Sequence, residues 1–271
     1  MGTLTARQAR LAVAIEIGGM AVRVRTDDPS FVCLLEQRYA GFVGGSERAE
    51  YEFDVNLTPL SGVDPDEDVR VERQAGRWSL ERGDFRAEWD PSSRRGTIRQ
   101  SANPYSIDSV LRIVHSLVLA RQGGFLVHAA SAVRNGRAFL FAGRSGAGKT
   151  TISRLAPPDA TLLTDEISYV RKAGSNYVAF GTPFTGELAK VGENVSAPIA
   201  AVYLLSQGPE NRIEPVGNAE AGRVLLENIL FFAKDPELVQ LVFASACEFC
   251  ACVPVRRLTF RPDASVWELI G

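Results

Sequence analysis

Histidine and methionine are scarce in this chain. Its 271 residues include two of each, with three tryptophans and four cysteines. So little imidazole excludes a histidine-rich metal centre and makes each histidine worth placing. No apolar run approaches the ~20 residues that a spanning helix needs, so a membrane protein of that kind is not expected. Neither sign of charge predominates: 30 Lys and Arg face 32 Asp and Glu, leaving −2, which gives no bulk attraction to nucleic acid. The start, Met1 to Arg10, lacks the apolar core of a signal peptide. Gly2 opens a myristoylation pattern, but position 6 is Ala where Ser or Thr is required. A cytoplasmic protein is expected, with no nucleic acid and no membrane among its partners. Hydrophobic and charged contents of 45% and 23% are those of a globular chain.

Three of the four cysteines, Cys247, Cys250 and Cys252, crowd into one run. They could ligate a metal, but no fourth ligand is evident. The run reads better as the apolar end of a helix, where free cysteine behaves as a small hydrophobe.

What is present is a phosphate loop. Gly143, Arg144, Ser145, Gly146, Ala147, Gly148, Lys149 and Thr150 fit G-x-x-x-x-G-K-[ST]. In such a loop, glycines let successive backbone N–H groups turn inward around phosphate oxygens. Lys149 adds positive charge for the β- and γ-phosphates, and Thr150 offers a hydroxyl to Mg²⁺. An apolar, strand-like run ends at Ala142, and Thr150, Thr151 and the residues to Leu155 can be helical, stopped by Pro157. Strand, loop, helix is the context that a nucleotide site requires. Residues 143–151 are therefore the expected ATP-binding segment.

Asn135-Gly136 separates two apolar runs and signals a two-residue hairpin. Arg134 then faces Arg137, Ser131 faces Leu140, and His128 falls opposite Gly143, at the mouth of the loop. His115, in a helix expected from about Ile107 to Val118 and capped by Ser106 or Asp108, reads as helix surface or packing. Further on, two strand-like runs flank Asp165-Glu166. Phosphoryl transfer uses one carboxylate to take the acceptor's proton and one to hold Mg²⁺ directly or through water. Neighbours on a strand point to opposite faces, so both acids reach one metal only if the chain turns there. Thr150, Asp165 and Glu166 form the expected metal set. The segment from Pro183 to Gly192 reads as a loop that could close over substrate through Glu187 and Lys190. Arg256-Arg257 reads as surface.

The chain is expected to divide into a strand-rich α/β module, 1–104, serving packing, substrate docking or dimer contact, and a domain of mixed sheet and helices, 105–271. The domain holds a second hairpin around Gly174, a buried strand near 200–206, helices near 218–232 and 236–248, and a last strand to Phe260.

Val127 to Val133, Gly143 to Thr150 and Leu162 to Ile167 together resemble the catalytic domain of HPr kinase/phosphorylase. That family has a His-Ala-Ser stretch, a hairpin, a phosphate loop and an acidic pair in the same order, on a core related to phosphoenolpyruvate carboxykinase. The resemblance implies an α/β mixed-sheet kinase domain using ATP and Mg²⁺. It implies Asp165 as the base that deprotonates the acceptor serine, Glu166 near the metal, and His128 beside the γ-phosphate with Lys149. The implied acceptor is a serine of a peptide or protein, and related kinases act on precursor peptides of modification gene clusters. A homo-oligomer is also implied. The acidic pair here is Asp-Glu rather than Asp-Asp. The first hundred residues and the family's HPr-binding loop have no counterpart, which argues against HPr as acceptor. A small-molecule hydroxyl kinase and a non-catalytic nucleotide-binding module are the alternatives.

Overall fold

A computed structural model describes residues 10–44, 49–59, 67–188 and 190–271. The stretch read for a signal sequence lies, but for Arg10, outside the described residues, as does Ala189 of the 183–192 segment. The chain divides into two compact units, Met1–Val110 and Leu111–Gly271, so the division falls inside the helix Pro104–Arg121 rather than ahead of it.

In the first unit, β1 (Leu11–Ile17), β2 (Met20–Thr26), β3 (Tyr51–Leu57), β4 (Arg70–Gln74), β5 (Arg77–Arg82), β6 (Phe85–Asp90) and β7 (Arg95–Gln100) form a sheet in the order β1-β2-β3-β7-β6-β5-β4. Helix α1 (Pro29–Arg38) lies between β2 and β3 in sequence. Alternation sets the faces. Val22, Val24, Phe53, Leu80, Ala87 and Ile98 are buried, while Arg23 and Glu52 pair across the polar face at 3.0 Å. Asp28 starts α1 by accepting the amides of Ser30 and Phe31 at 2.8 and 3.1 Å, satisfying donors that a helix start leaves free.

Helix α2 (Pro104–Arg121) is capped by Asn103, not by Ser106 or Asp108 as expected. The Asn103 side chain accepts the amides of Tyr105 and Ser106 at 2.9 and 3.0 Å, and Pro104 sits where its missing N–H costs nothing. Asp108 instead receives Arg38 at 2.6 Å and the Tyr39 hydroxyl at 2.5 Å.

The second unit is an α/β arrangement of β8 (Phe125–Arg134), β9 (Arg137–Ala142), α3 (Lys149–Arg154), β10 (Thr161–Thr164), β11 (Ile167–Ala173), β12 (Asn176–Phe180), β13 (Ser196–Gln207), β14 (Arg212–Pro215), α4 (Asn218–Asn228), β15 (Ile229–Leu230), α5 (Pro236–Cys252) and β16 (Val255–Phe260), closed by a 3-10 turn Ala264–Leu269. The sheet is mixed: β13 runs parallel to β9 and β16, and the remaining pairs are antiparallel. Pairings run β8–β11–β12–β13–β9 and back to β8, closing a circuit.

After the exposed Arg137, strand β9 is apolar from Ala138 to Ala142, with both its faces covered. Ala138, Leu140 and Ala142 join a core with α4 and α5 through Leu225 and Phe249. Phe139 and Phe141 join another with Ile152 of α3 and Trp267 of the last turn. The β8–β9 hairpin has the expected register, Arg134 opposite Arg137 and Ser131 opposite Leu140. Asn135 and Gly136 both take positive φ, 51° and 71°, as this tight turn requires.

Helix α4 ends sooner than expected. Ile229 turns extended and pairs with Val127 of β8, so strand pairing claims a backbone that local propensity alone would leave helical. Cys247, Cys250 and Cys252 lie on the last turns of α5, the middle one half-buried and the others exposed. Among the described residues, no helix is long and apolar enough to cross a membrane.

His115 is fully buried in α2, edge-on to Tyr169 with 5.5 Å between ring centres. Burial disfavours its charged form and pushes its pKa down to about 3. The unfolded chain therefore binds a proton that the folded one refuses. Stability present above about pH 6.5 is lost on acidification toward pH 3, at about 1.4 kcal/mol per pH unit. Replacing His115 with Phe should flatten this part of the stability curve, measured by urea unfolding between pH 4 and 7. An unchanged slope would mean that other groups control acid unfolding.

Candidate functional site

Residues expected to act together come from four places in the sequence and meet at one cleft. It has a volume of about 410 Å³ and is lined by His128, Ser145, Gly146, Gly148, Lys149, Thr150, Thr151, Glu166, Gly186, Glu187 and Gln207.

The phosphate loop leaves β9 and turns into α3. Gly148 has φ +110°, and a Cβ there would come within 2.7 Å of the Phe260 ring, so only glycine fits. Gln207, the last residue of β13, donates to the carbonyl of Gly146 at 2.6 Å and holds the loop's tip. Nothing local in the sequence marks Gln207 or Phe260. They reach the loop because β13 runs parallel to β9 and β16 parallel to β13. Gly143 is buried and Arg144 exposed, and neither lines the cleft; nor does Ala147.

Lys149 is buried, its Nζ donating to the carbonyls of Gly143 at 2.9 Å and Arg144 at 3.4 Å. Burial lowers its pKa, while Glu166 and Glu187 act in the opposite direction. The Thr150 hydroxyl donates to Glu187 at 3.1 Å.

His128 shares a face of β8 with Ala130 and Ala132, since side chains on a strand alternate. Ala130 and Ala132 pack in the core that includes Ile152 of α3, so the imidazole points to the side of the sheet where the phosphate loop lies. Its Nε2 lies 3.2 Å from Glu166 Oε1. That contact, chiefly, holds the Glu166 carboxyl below the usual range, helped by the charges of Lys149 and Arg112 and opposed by partial burial.

The acidic pair occupies an interruption between two strands. Thr164 faces Ser131 and Ile167 faces His128 in one register, so β10 and β11 continue each other along β8, broken at Asp165-Glu166. The Thr164 hydroxyl accepts the amides of Glu166 and Ile167 at 3.1 and 3.2 Å and makes the bend. The acids then part company. Glu166 lines the cleft. Asp165 is buried and outside the lining, with Oδ1 and Oδ2 accepting the amides of Gly186 and Leu188, each at 2.9 Å.

The 183–192 segment runs across both acids. A Cβ on Gly186 would meet Glu166 Oε2 at 2.5 Å and Asp165 Oδ2 at 3.1 Å. Phe184 lies under the Arg112 guanidinium, 4.8 Å from the ring centre, and its carbonyl accepts the Thr164 hydroxyl at 3.3 Å. Arg112 was not singled out in the sequence, where it reads as one polar residue of an apolar helix. Lys190 is exposed and outside the lining. Arg257 pairs with Glu220 of α4 and also lies outside it. Among the described residues, no group of three or more His, Cys, Asp or Glu side chains is arranged to hold a metal unaided.

Fold and site together define an α/β protein in which the glycine-rich loop 143–150 faces a His128–Glu166 pair. The chain belongs to the family described as SynChlorMet cassette protein ScmC, whose model matches residues 97–271. No curated protein matches the chain. Among solved structures it is similar to the Hpr(Ser) kinase/phosphatase from Coxiella burnetii, with 11% identity and a TM-score of 0.25 over 50% of this chain and 84% of that one.

Removing the Asp165 side chain would strand two amides beneath the loop. Asp165→Ala should cost about 2–4 kcal/mol in urea unfolding, since buried donors left without acceptors are penalised individually. A loss no larger than that of an ordinary surface substitution would show that the loop does not depend on this carboxylate.

Proposed function

We propose that the second unit is an ATP-dependent kinase of the HPr kinase type, moving the γ-phosphoryl group to a Ser or Thr hydroxyl of a peptide or protein. The observation that carries this reading is the cleft in which Lys149 and Thr150 of the phosphate loop face the His128–Glu166 pair. Pure nucleotide binding needs the loop but not the pair.

In this reading Lys149 exchanges the carbonyls of Gly143 and Arg144 for phosphate oxygens, joined by the loop amides. The hard oxygens of Thr150, Glu166 and Glu187 suit Mg²⁺, which when bound supplies charge neutralisation on the phosphates. The pair orients the acceptor hydroxyl, His128 taking its proton while ionised Glu166 steadies the imidazole. This moves the base from Asp165 to the pair, because both Asp165 oxygens already accept loop amides. Asp165 then acts through the loop. A serine acceptor on a peptide or protein is supported by the sequence resemblance to HPr kinase/phosphorylase.

The test is transfer of labelled γ-phosphate from Mg·ATP to serine-containing peptides and to small hydroxyl compounds. Glu166→Gln and His128→Ala should each lower the rate about 10²–10⁴-fold with nucleotide affinity kept, while Lys149→Ala should weaken binding as well. Labelling of small molecules alone would favour a metabolite kinase. Tight ATP binding without turnover on any acceptor would favour a non-catalytic module and sink the transferase reading.

A further inference from the structure

We propose that Gln207 and Phe260 are positioning residues that together clamp the loop 143–150, holding its two left-handed glycines in the curve that a phosphate group needs. The proposal deepens the kinase reading and rests on it for the ligand, but the contacts themselves exist without one.

The curvature of the loop comes from two glycines. Gly146 and Gly148 take φ of +77° and +110°, with Ala147 between them. Left-handed residues interleaved with ordinary ones turn neighbouring N–H groups to one side and make a concave anion seat. A free glycine populates positive and negative φ about equally, so an unheld loop would spend much of its time in other shapes. Here a side chain from a distant strand meets each glycine. Gln207 donates to the Gly146 carbonyl at 2.6 Å. The Phe260 ring lies so close to Gly148 that a Cβ there would come within 2.7 Å of it.

The two holding residues act from one place. Gln207 of β13 and Phe260 of β16 are register partners in a parallel pair, so their side chains stand side by side on one face of the sheet. Tyr203, Leu205 and Leu258 share that face and pack with Ile152 of α3, which follows the loop. The strand ends are tied as well. Gly208 gives its amide to the Phe260 carbonyl at 3.1 Å, and a Cβ on Gly208 would collide with the Thr259 methyl. The planar peptide links the Gly146 carbonyl to the Ala147 N–H, so holding the oxygen also sets that amide, which closes the turn onto the Arg144 carbonyl at 3.0 Å. Order that phosphate oxygens would otherwise impose on the loop is thus supplied in advance, and less of the contact energy is lost to it on binding.

Gln207 is exposed, so a substitution there spares the core. Full-length nucleotide-free protein carrying isotope-labelled glycine is compared by NMR as wild type, Gln207→Met and Phe260→Leu. Gln207→Met keeps the length of the side chain and removes the donor. Relaxation dispersion at the Gly146 and Gly148 amides, which reads microsecond-to-millisecond exchange, should rise in both variants above wild type. Packing alone would shift the melting temperature and leave that exchange unchanged. By calorimetry, pyrophosphate and ATP should each bind Gln207→Met about 3- to 10-fold more weakly, the worth of one hydrogen bond. Equal losses place the effect at the phosphates, whereas a loss confined to ATP would overturn the clamp. So would unchanged glycine exchange, or an unchanged affinity for pyrophosphate. Phe260→Leu tests the other arm and stands alone if Gln207→Met fails to fold. A wild type that binds neither ligand would sink the kinase reading, and the glycine exchange would still decide the clamp.

Discussion

The site depends on the length of one strand. Over its ten residues, β8 carries β11 and β15 along its first part and β9 and β10 along its second. The change of partners falls at His128 and Ala129. The hairpin to β9 ends there and releases the chain into the phosphate loop. The line formed by β10 and β11 is broken there too, and two acidic residues fill the break. Backbone hydrogen bonding, which leaves few buried groups unpaired, thus brings the histidine, the loop and the acids to one level of the sheet.

Charge explains much of what the side chains then do. Three carboxylates, those of Asp165, Glu166 and Glu187, lie near the loop that bears Lys149. Each has found a donor: loop amides for Asp165, His128 for Glu166 and the Thr150 hydroxyl for Glu187. Carboxylates this close would repel one another strongly if left unpaired in a partly dry site. Lys149, with its charge turned toward two backbone carbonyls, is likewise provided for. The 183–192 segment is part of the site for this reason, since it supplies the amides that Asp165 accepts and one of the three carboxylates, Glu187.

Much of the fold was legible from pattern. The Asn135-Gly136 turn has a direct physical cause in the φ preferences of its two residues, and the structure follows it. The continuous apolar run of β9 is read correctly because both its faces are covered. Failures came where tertiary pairing overrode local preference. The helix expected to run past Asn228 gives up Ile229 and Leu230 to β8. The cap of α2 is a local miss instead: Asn103 accepts the amides of Tyr105 and Ser106, so the helix starts at Pro104, before the residues expected to cap it.

The sequence by itself determined the glycine-rich loop at 143–150, the hairpin that sets His128 at its mouth, and an acidic pair within reach. Each is a local pattern whose geometry follows from φ preferences and strand periodicity. Only the tertiary structure decided that Glu166 rather than Asp165 faces the cleft, that Asp165 anchors a segment some twenty residues further on, and that Gln207, Phe260, Arg112 and Phe184 belong to the site. Those outcomes turn on which strands lie side by side and on one bend made by a threonine hydroxyl. No short window of sequence carries that information, because the contacts join residues that meet only after the sheet has formed.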